Sequence, residues 1–304
     1  MIRRGAIAAL LSVPFLIALA GVHHSGQAYT LDRSFGVPVN HQPPPGRGWV
    51  VDLVVRSPAL GRWPADVRVY LPAAYRTQPT RRFPTIYLLQ GMPGSSRGAF
   101  ENAMHIAHKM DDGFVSGRLQ PMIVVMPPGN HRRFDLATEW ANGGTRTSDW
   151  DTYLSRDVVS AVDRHFRTIP AASARGVAGY SAGADGAINA LILHPGVFRV
   201  AEGWSADLRQ TPSLVGYNAA LVRRYSAIEM AAAAAPTLRR LGASVYLYVG
   251  AADRILQTDQ QFVAILRRAG VHVRFSVLPG GHSWLLWHRQ EGTALAYLSA
   301  HLHG

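Results

Sequence analysis

The sequence predicts an α/β domain: a mostly parallel, eight-stranded sheet with helices on both faces and a helical insertion between strands six and seven. Three observations carry this reading. Near-continuous apolar runs rich in Ile, Val, Leu and Tyr recur along the chain, as parallel strands buried on both faces require. Helical patterns separate these runs, and strand–helix alternation builds a parallel sheet with covering helices. The chain of 304 residues is 48% hydrophobic and 16% charged, which excludes disordered and collagen-like chains.

The chain opens with Arg3 and Arg4, an apolar run from Gly5 to Val22, and the small-residue stretch Ser25-Gly26-Gln27-Ala28. Positive, apolar and small-residue regions in that order predict a secretory signal over residues 1–28, cut after Ala28. The run, at 18 residues, is long enough for an uncleaved anchor to be the alternative, although Pro14 interrupts it. The expected localisation is secreted or cell envelope. Residues 29–48, with Pro38, Pro43, Pro44, Pro45, Gly46 and Gly48, read as an irregular leader. Residues 49–304 form the main domain, without internal repeats.

Two alternating runs, Trp49-Val55 and Asp66-Tyr70, predict half-buried antiparallel strands. The buried strands are expected at Thr85-Leu89, Met122-Met126, Gly176-Ala178, Arg199-Ala201 and Val245-Val249, with a last alternating strand at Val271-Leu278. Helices are expected over Asp151-Phe166, Ala184-Leu193, Leu256-Ala269 and Trp284-Leu302. Between Trp204 and Leu241 the rhythm breaks, which places the insertion over the C-terminal edge of the sheet, where open α/β sheets bind ligands.

The net charge is +12, from 31 Lys+Arg against 19 Asp+Glu, with Lys109 the single lysine. The arginines are scattered in pairs such as Arg132/Arg133 and Arg267/Arg268, without a basic run or finger spacing, so no nucleic-acid partner is expected. The absence of cysteine excludes a thiol nucleophile, a zinc–cysteine site and a disulfide scaffold. His105 and His108 are spaced as one helix face, with no third residue to complete a metal site. Neither metal nor cofactor is expected.

The strongest chemical signal is Gly179-Tyr180-Ser181-Ala182-Gly183, between a predicted strand and a predicted helix. Strand, sharp turn and helix form a nucleophile elbow, which strains the serine backbone and presents its hydroxyl. A serine hydroxyl needs an adjacent base. His282, in Pro279-Gly280-Gly281-His282-Ser283-Trp284, follows the last strand on a glycine loop able to reach back over the sheet edge. The base needs a carboxylate to orient it. Asp253, directly after the strand Val245-Val249, is the expected acid; Asp259 is the rival, expected in a helix's first turn where the dipole favours it, and Asp207 is a third. Two backbone N–H groups should form an oxyanion hole. Ala182 supplies one, and Met92 in Gln90-Gly91-Met92-Pro93-Gly94 the other, since Pro93 has no N–H. Gln90, Gly91, Tyr180 and Trp284 flank these groups and are the expected substrate-binding residues.

Taken together, Val69-Tyr70-Leu71-Pro72, Tyr87 to Gly91, Trp150-Asp151, the Ser181 elbow, Gly250 to Asp253, and Gly281 to Trp284 with Trp287 resemble the esterase D / antigen 85 branch of the α/β-hydrolases. The resemblance spans residues 50 to 300 in order. It implies the α/β-hydrolase fold and secreted acyl-ester chemistry, either hydrolysis or mycolyl transfer between trehalose lipids. Three departures point to the esterase side: Gln90 where mycolyltransferases carry Asp, Pro93 where they carry Arg, and Asp253 where they use Glu. Some antigen 85 relatives lack the triad and act as binding proteins, whereas this chain carries all three residues. The sequence therefore predicts a secreted serine carboxylesterase with a Ser181, His282, Asp253 triad, acting on a small-molecule or glycolipid ester, with short acyl groups preferred. Acyl transfer to trehalose or cell-envelope sugars is one alternative; a non-catalytic cell-surface binder on the same fold is another.

Overall fold

A computed structural model describes residues 45–61, 63–130, 139–143, 149–210 and 218–303. The signal segment and most of the leader lie outside the described residues. Among the described residues there are eight strands: β1 (Trp49–Arg56), β2 (Pro64–Leu71), β3 (Thr85–Leu89), β4 (Ile123–Met126), β5 (Arg175–Tyr180), β6 (Val200–Trp204), β7 (Ser244–Gly250) and β8 (His272–Leu278). They form one sheet in the order β1-β2-β4-β3-β5-β6-β7-β8. The pairs β1/β2 and β2/β4 are antiparallel, and every other pair is parallel.

Alternate side chains of the central strands feed two cores. Tyr87 and Leu89 point into one, Ile86 and Leu88 into the other. All five residues of β3 are buried, as its unbroken apolar run requires. Helices cover both faces. In chain order they are α1 (Ala74–Thr77), α2 (Ile106–Val115), α3 (Trp150–Thr152), α4 (Val159–His165), α5 (Ala182–Leu193), α6 (Ala219–Tyr225), α7 (Ala227–Arg240), α8 (Leu256–Arg268) and α9 (Trp284–His301). Residues of α5, α7 and α8 pack into the first core, and those of α2 and α9 into the second.

Several expectations need correction. β5 and β6 each extend to the site, β5 to Tyr180 and β6 to Trp204, because main-chain pairing continues through glycines that have little strand preference. The helix expected over 151–166 is interrupted by a wider π-helical stretch, Tyr153–Val158, between α3 and α4. There the Ser155 hydroxyl donates to the Asp151 carbonyl at 2.7 Å, a competing side-chain bond that loosens helices. His105 is not on a helix face: it caps α2 in a left-handed conformation, φ 50°, and His108 Nδ1 faces Arg47 at 3.1 Å. The insertion stands between β6 and β7 and comprises α6 and α7.

Candidate active site

Ser181 is the single residue between β5 and α5. Its backbone, at φ 53° and ψ −127°, lies where L-residues are rarely found, and such strain persists only when the surroundings impose it. Two glycines impose it here. A Cβ on Gly179 would strike the carbonyl of Gly183, and one on Gly183 would strike the carbonyl of Leu89. Helix and strand therefore approach more closely than any side chain permits. The Ser181 N–H is held by the Trp204 carbonyl at 3.0 Å, so the end of β6 anchors the turn.

Asp253 and His282 are brought together by their loops. Past the paired ends of β7 and β8, Ala251 N–H donates to the Leu278 carbonyl at 2.7 Å and Ala252 N–H to the Gly280 carbonyl at 2.8 Å. Gly280, at φ 120°, makes the turn that brings His282 back over the edge. The Ser181 hydroxyl lies 2.9 Å from His282 Nε2, and His282 Nδ1 lies 2.9 Å from Asp253 Oδ2. Asp253 Oδ1 accepts the Ile255 N–H at 3.3 Å. The Asp253 side chain is fully buried and the imidazole is 38% exposed, so the line runs from the interior to an open face.

Ala182 opens α5, and first-turn N–H groups have no partner within their own helix. Its N–H and the helix dipole thus converge beside Ser181. Gly91 packs on the same spot: a Cβ there would meet the Tyr180 ring at 2.6 Å and Ser181 Cβ at 3.0 Å. Met92, next in that loop, is half-buried against the core.

The expected substrate-binding residues divide. Trp284 is 43% exposed beside His282 and free to touch a substrate. Tyr180 is 7% exposed, with its ring 4.9 Å from Trp284 and 4.8 Å from Trp287, so it supports the wall from beneath. Gln90 is corrected outright. It is fully buried, its amide oxygen accepts the Ser96 hydroxyl at 2.8 Å, its amide nitrogen faces Asn130 at 3.4 Å, and its carbonyl accepts the Trp140 indole N–H at 3.1 Å. With its polar groups engaged inside the protein, Gln90 braces the loop and is not a substrate contact.

Sequence reasoning missed a set of buried carboxylates beside the site. Asp259 does lie in the first turn of α8, but it is wholly buried and neither carboxylate oxygen has a hydrogen-bond partner among the described residues. Burial, then the charges of Asp253 and Asp207, push it up to about 9. Glu139 is pushed up to about 7 by burial and then by Asp207. Asp185, on α5, is held well above the usual carboxylate range by burial and by Glu139, Asp207 and Asp259. The signal available was one charged residue, Asp185, within the small, apolar stretch Ala184-Leu193. Asp207 is half-exposed and lies 4.0 Å from Arg254, away from His282's hydrogen bonds. Among the described residues no three His, Asp or Glu side chains are grouped to hold a metal ion, and no helix is long and apolar enough to cross a membrane.

The model of the family described as "Putative esterase" matches residues 57–296. Esterase Rv1288 of Mycobacterium tuberculosis is 30% identical over 162 residues, covering 53% of this chain and 33% of that protein, so the chain spans about a third of the length of this curated relative. A ferulic acid esterase structure superposes with TM-score 0.72 at 22% identity, over 84% of this chain and 98% of that one. The S-formylglutathione hydrolase FrmB of Staphylococcus aureus superposes with TM-score 0.68 at 17% identity, over 83% of this chain and 99% of that one. These likenesses establish the α/β-hydrolase fold, and the family match across most of the chain shows that it belongs to this esterase family.

Proposed function

We propose that the protein is an exported carboxylesterase that works through an acyl-enzyme on Ser181. The observation that carries this reading is the unbroken line from Ser181 through His282 to Asp253, with both hydrogen bonds at 2.9 Å. Ser181 Oγ attacks the ester carbonyl while its proton passes to His282 Nε2. The oxyanion develops where the Ala182 and Met92 N–H groups can receive it, at the positive end of α5. His282 then hands its proton to the departing alcohol, leaving the acyl group on Ser181. Water, deprotonated by the same imidazole, releases the acid. Asp253 holds the Nδ1–H tautomer and stabilises the imidazolium. Trp284 offers an apolar wall to the ester.

The departures from the mycolyltransferase pattern at Gln90, Pro93 and Asp253 favour water over a sugar as second nucleophile. The order of Arg3-Arg4, apolar run and Ala28 supports export, with a small-molecule or glycolipid ester met outside the cell or in its envelope. The test is labelling with a fluorophosphonate probe followed by peptide mapping, alongside turnover of p-nitrophenyl esters with and without trehalose. The reading requires modification at Ser181 and release of free acid. An unlabelled Ser181 in active protein refutes the nucleophile, and an acyl-trehalose product makes the enzyme a transferase.

A further inference from the structure

The His282 ring is bonded through Nδ1 to Asp253 and through Nε2 to Ser181, and both bonds depend on how the ring is turned about its Cβ–Cγ bond. Its own loop gives little support, since Gly280 and Gly281 precede it. Trp287, one turn into α9, packs against the ring and stands in the way of its turning about that bond. The His282 and Trp287 rings are perpendicular, 89° between planes and 5.1 Å between centroids.

Trp287 is itself fixed. It is 7% exposed and rests on Tyr180 at 4.8 Å and Trp284 at 5.7 Å. Its indole N–H donates to Ser205 Oγ at 3.1 Å. Ser205 follows the last residue of β6 and is fully buried, at φ 57° although it is not glycine. Its N–H donates to the Tyr248 carbonyl of β7 at 2.9 Å. A residue held in this uncommon conformation marks a place where the surroundings over-determine the backbone, and such places cluster at functional sites. The neighbouring Trp204 carbonyl already holds the Ser181 N–H. The end of β6 thus reaches the nucleophile through one residue and, through the next, the indole that seats the base.

We propose that Ser205 and Trp287 are a pair of positioning residues, whose buried hydrogen bond holds the indole against His282 and keeps the imidazole turned toward Ser181. This rests on the reading of Ser181, His282 and Asp253 as the triad. The pair touches neither ester nor reacting atoms; it acts through His282.

The experiment is a double-mutant cycle on the full chain with Ser205→Ala, Trp287→Phe and both together. Ser205→Ala removes one hydroxyl; Trp287→Phe keeps a ring and removes the N–H. Measurements are kcat and KM on p-nitrophenyl acetate, the rate of fluorophosphonate labelling at Ser181, and thermal melting. Each single variant should lose roughly 10-fold in kcat and in labelling rate, with KM within about twofold, and the double should lose little more, because one bond is removed once. A folded Ser205→Ala protein with wild-type kcat overturns the proposal. So do losses that multiply to roughly 100-fold, which mark two independent effects, or a raised KM at unchanged kcat, which makes Trp287 a substrate wall. Should Trp287→Phe fail to fold, Ser205→Ala alone decides by the same kcat and labelling criteria. Wild-type protein that is active but unlabelled at Ser181 refutes the triad reading and the pair with it; wild-type labelling with unslowed variants refutes the pair alone.

Discussion

Asp259 lies within reach of the charge of Asp253, yet shares no hydrogen bond with it. One carboxylate meets His282; the other is sealed in the protein with no hydrogen-bond partner among the described residues. This relationship separates two acids that stand six positions apart in the chain. Asp253→Asn should cut kcat by up to ~10⁴-fold, because the amide favours the wrong histidine tautomer. Asp259→Asn should leave kcat within a few-fold, since an amide resembles the neutral acid that burial enforces. Steady-state kinetics of both variants check this, and reversed outcomes would move the acid to Asp259.

The same burial fixes a direction for stability against pH. Asp259 and Glu139 are both raised in the folded state, to about 9 and about 7. An unfolded carboxyl ionises near pH 4. Each group therefore binds its proton more tightly when folded, and its contribution is fully present below about pH 4. That contribution is lost as pH rises, through about 7 for Glu139 and about 9 for Asp259. Asp259→Asn removes one of these titrations. Its melting temperature relative to wild type should rise steadily from pH 5 to pH 9 and level off above. A difference independent of pH across that range would show that Asp259 is ionised in the folded protein.

Ser181→Ala and His282→Ala should each lower kcat by at least ~10³-fold with the fold intact, and the double variant should be little worse than either. Triad members act as a unit, so multiplied losses would show that the two side chains serve separate steps. Circular dichroism beside the kinetics distinguishes a dead enzyme from an unfolded one.

Gly183→Ala tests the elbow. The added Cβ would strike the Leu89 carbonyl, a backbone atom that cannot step aside as a side chain would. The variant should be destabilised by roughly 3 kcal/mol and should lose activity, because Ser181 is two residues away. Urea unfolding gives the first quantity and ester turnover the second. Wild-type stability would mean that α5 packs less tightly on β3 than described.

A series of p-nitrophenyl esters from acetate upward should show kcat/KM highest for short acyl chains. A maximum at long chains would overturn the expectation drawn from the sequence and assign an acyl groove to the insertion between β6 and β7.

Much of this protein was legible in the residues alone, for local reasons. Buried parallel strands must be apolar throughout, so Thr85-Leu89 and Val245-Val249 stood out and proved fully buried. The elbow needs glycine on both sides of its serine, and that chemistry repeats wherever the turn is built. Ser181, Asp253 and His282 stood out by type and by place after a strand, and their side chains lie within hydrogen-bond distance of one another in the order Ser181–His282–Asp253. Other features depend on contacts distant in sequence. Gln90 looked like a substrate residue because its loop lines the site, but Ser96, Asn130 and Trp140 enclose it. Asp259 looked like an ordinary helix-start acid, and only packing around α8 buried it. Ser205 carries no signal of residue type; its role follows from a backbone turn at the end of β6 and from an indole 82 positions later. Periodicity and turn chemistry are short-range, so the sequence by itself determined the fold class, the strands and the three triad candidates. Burial of charge and the seating of a ring are set by whichever residues arrive from elsewhere, and those only the tertiary structure decided.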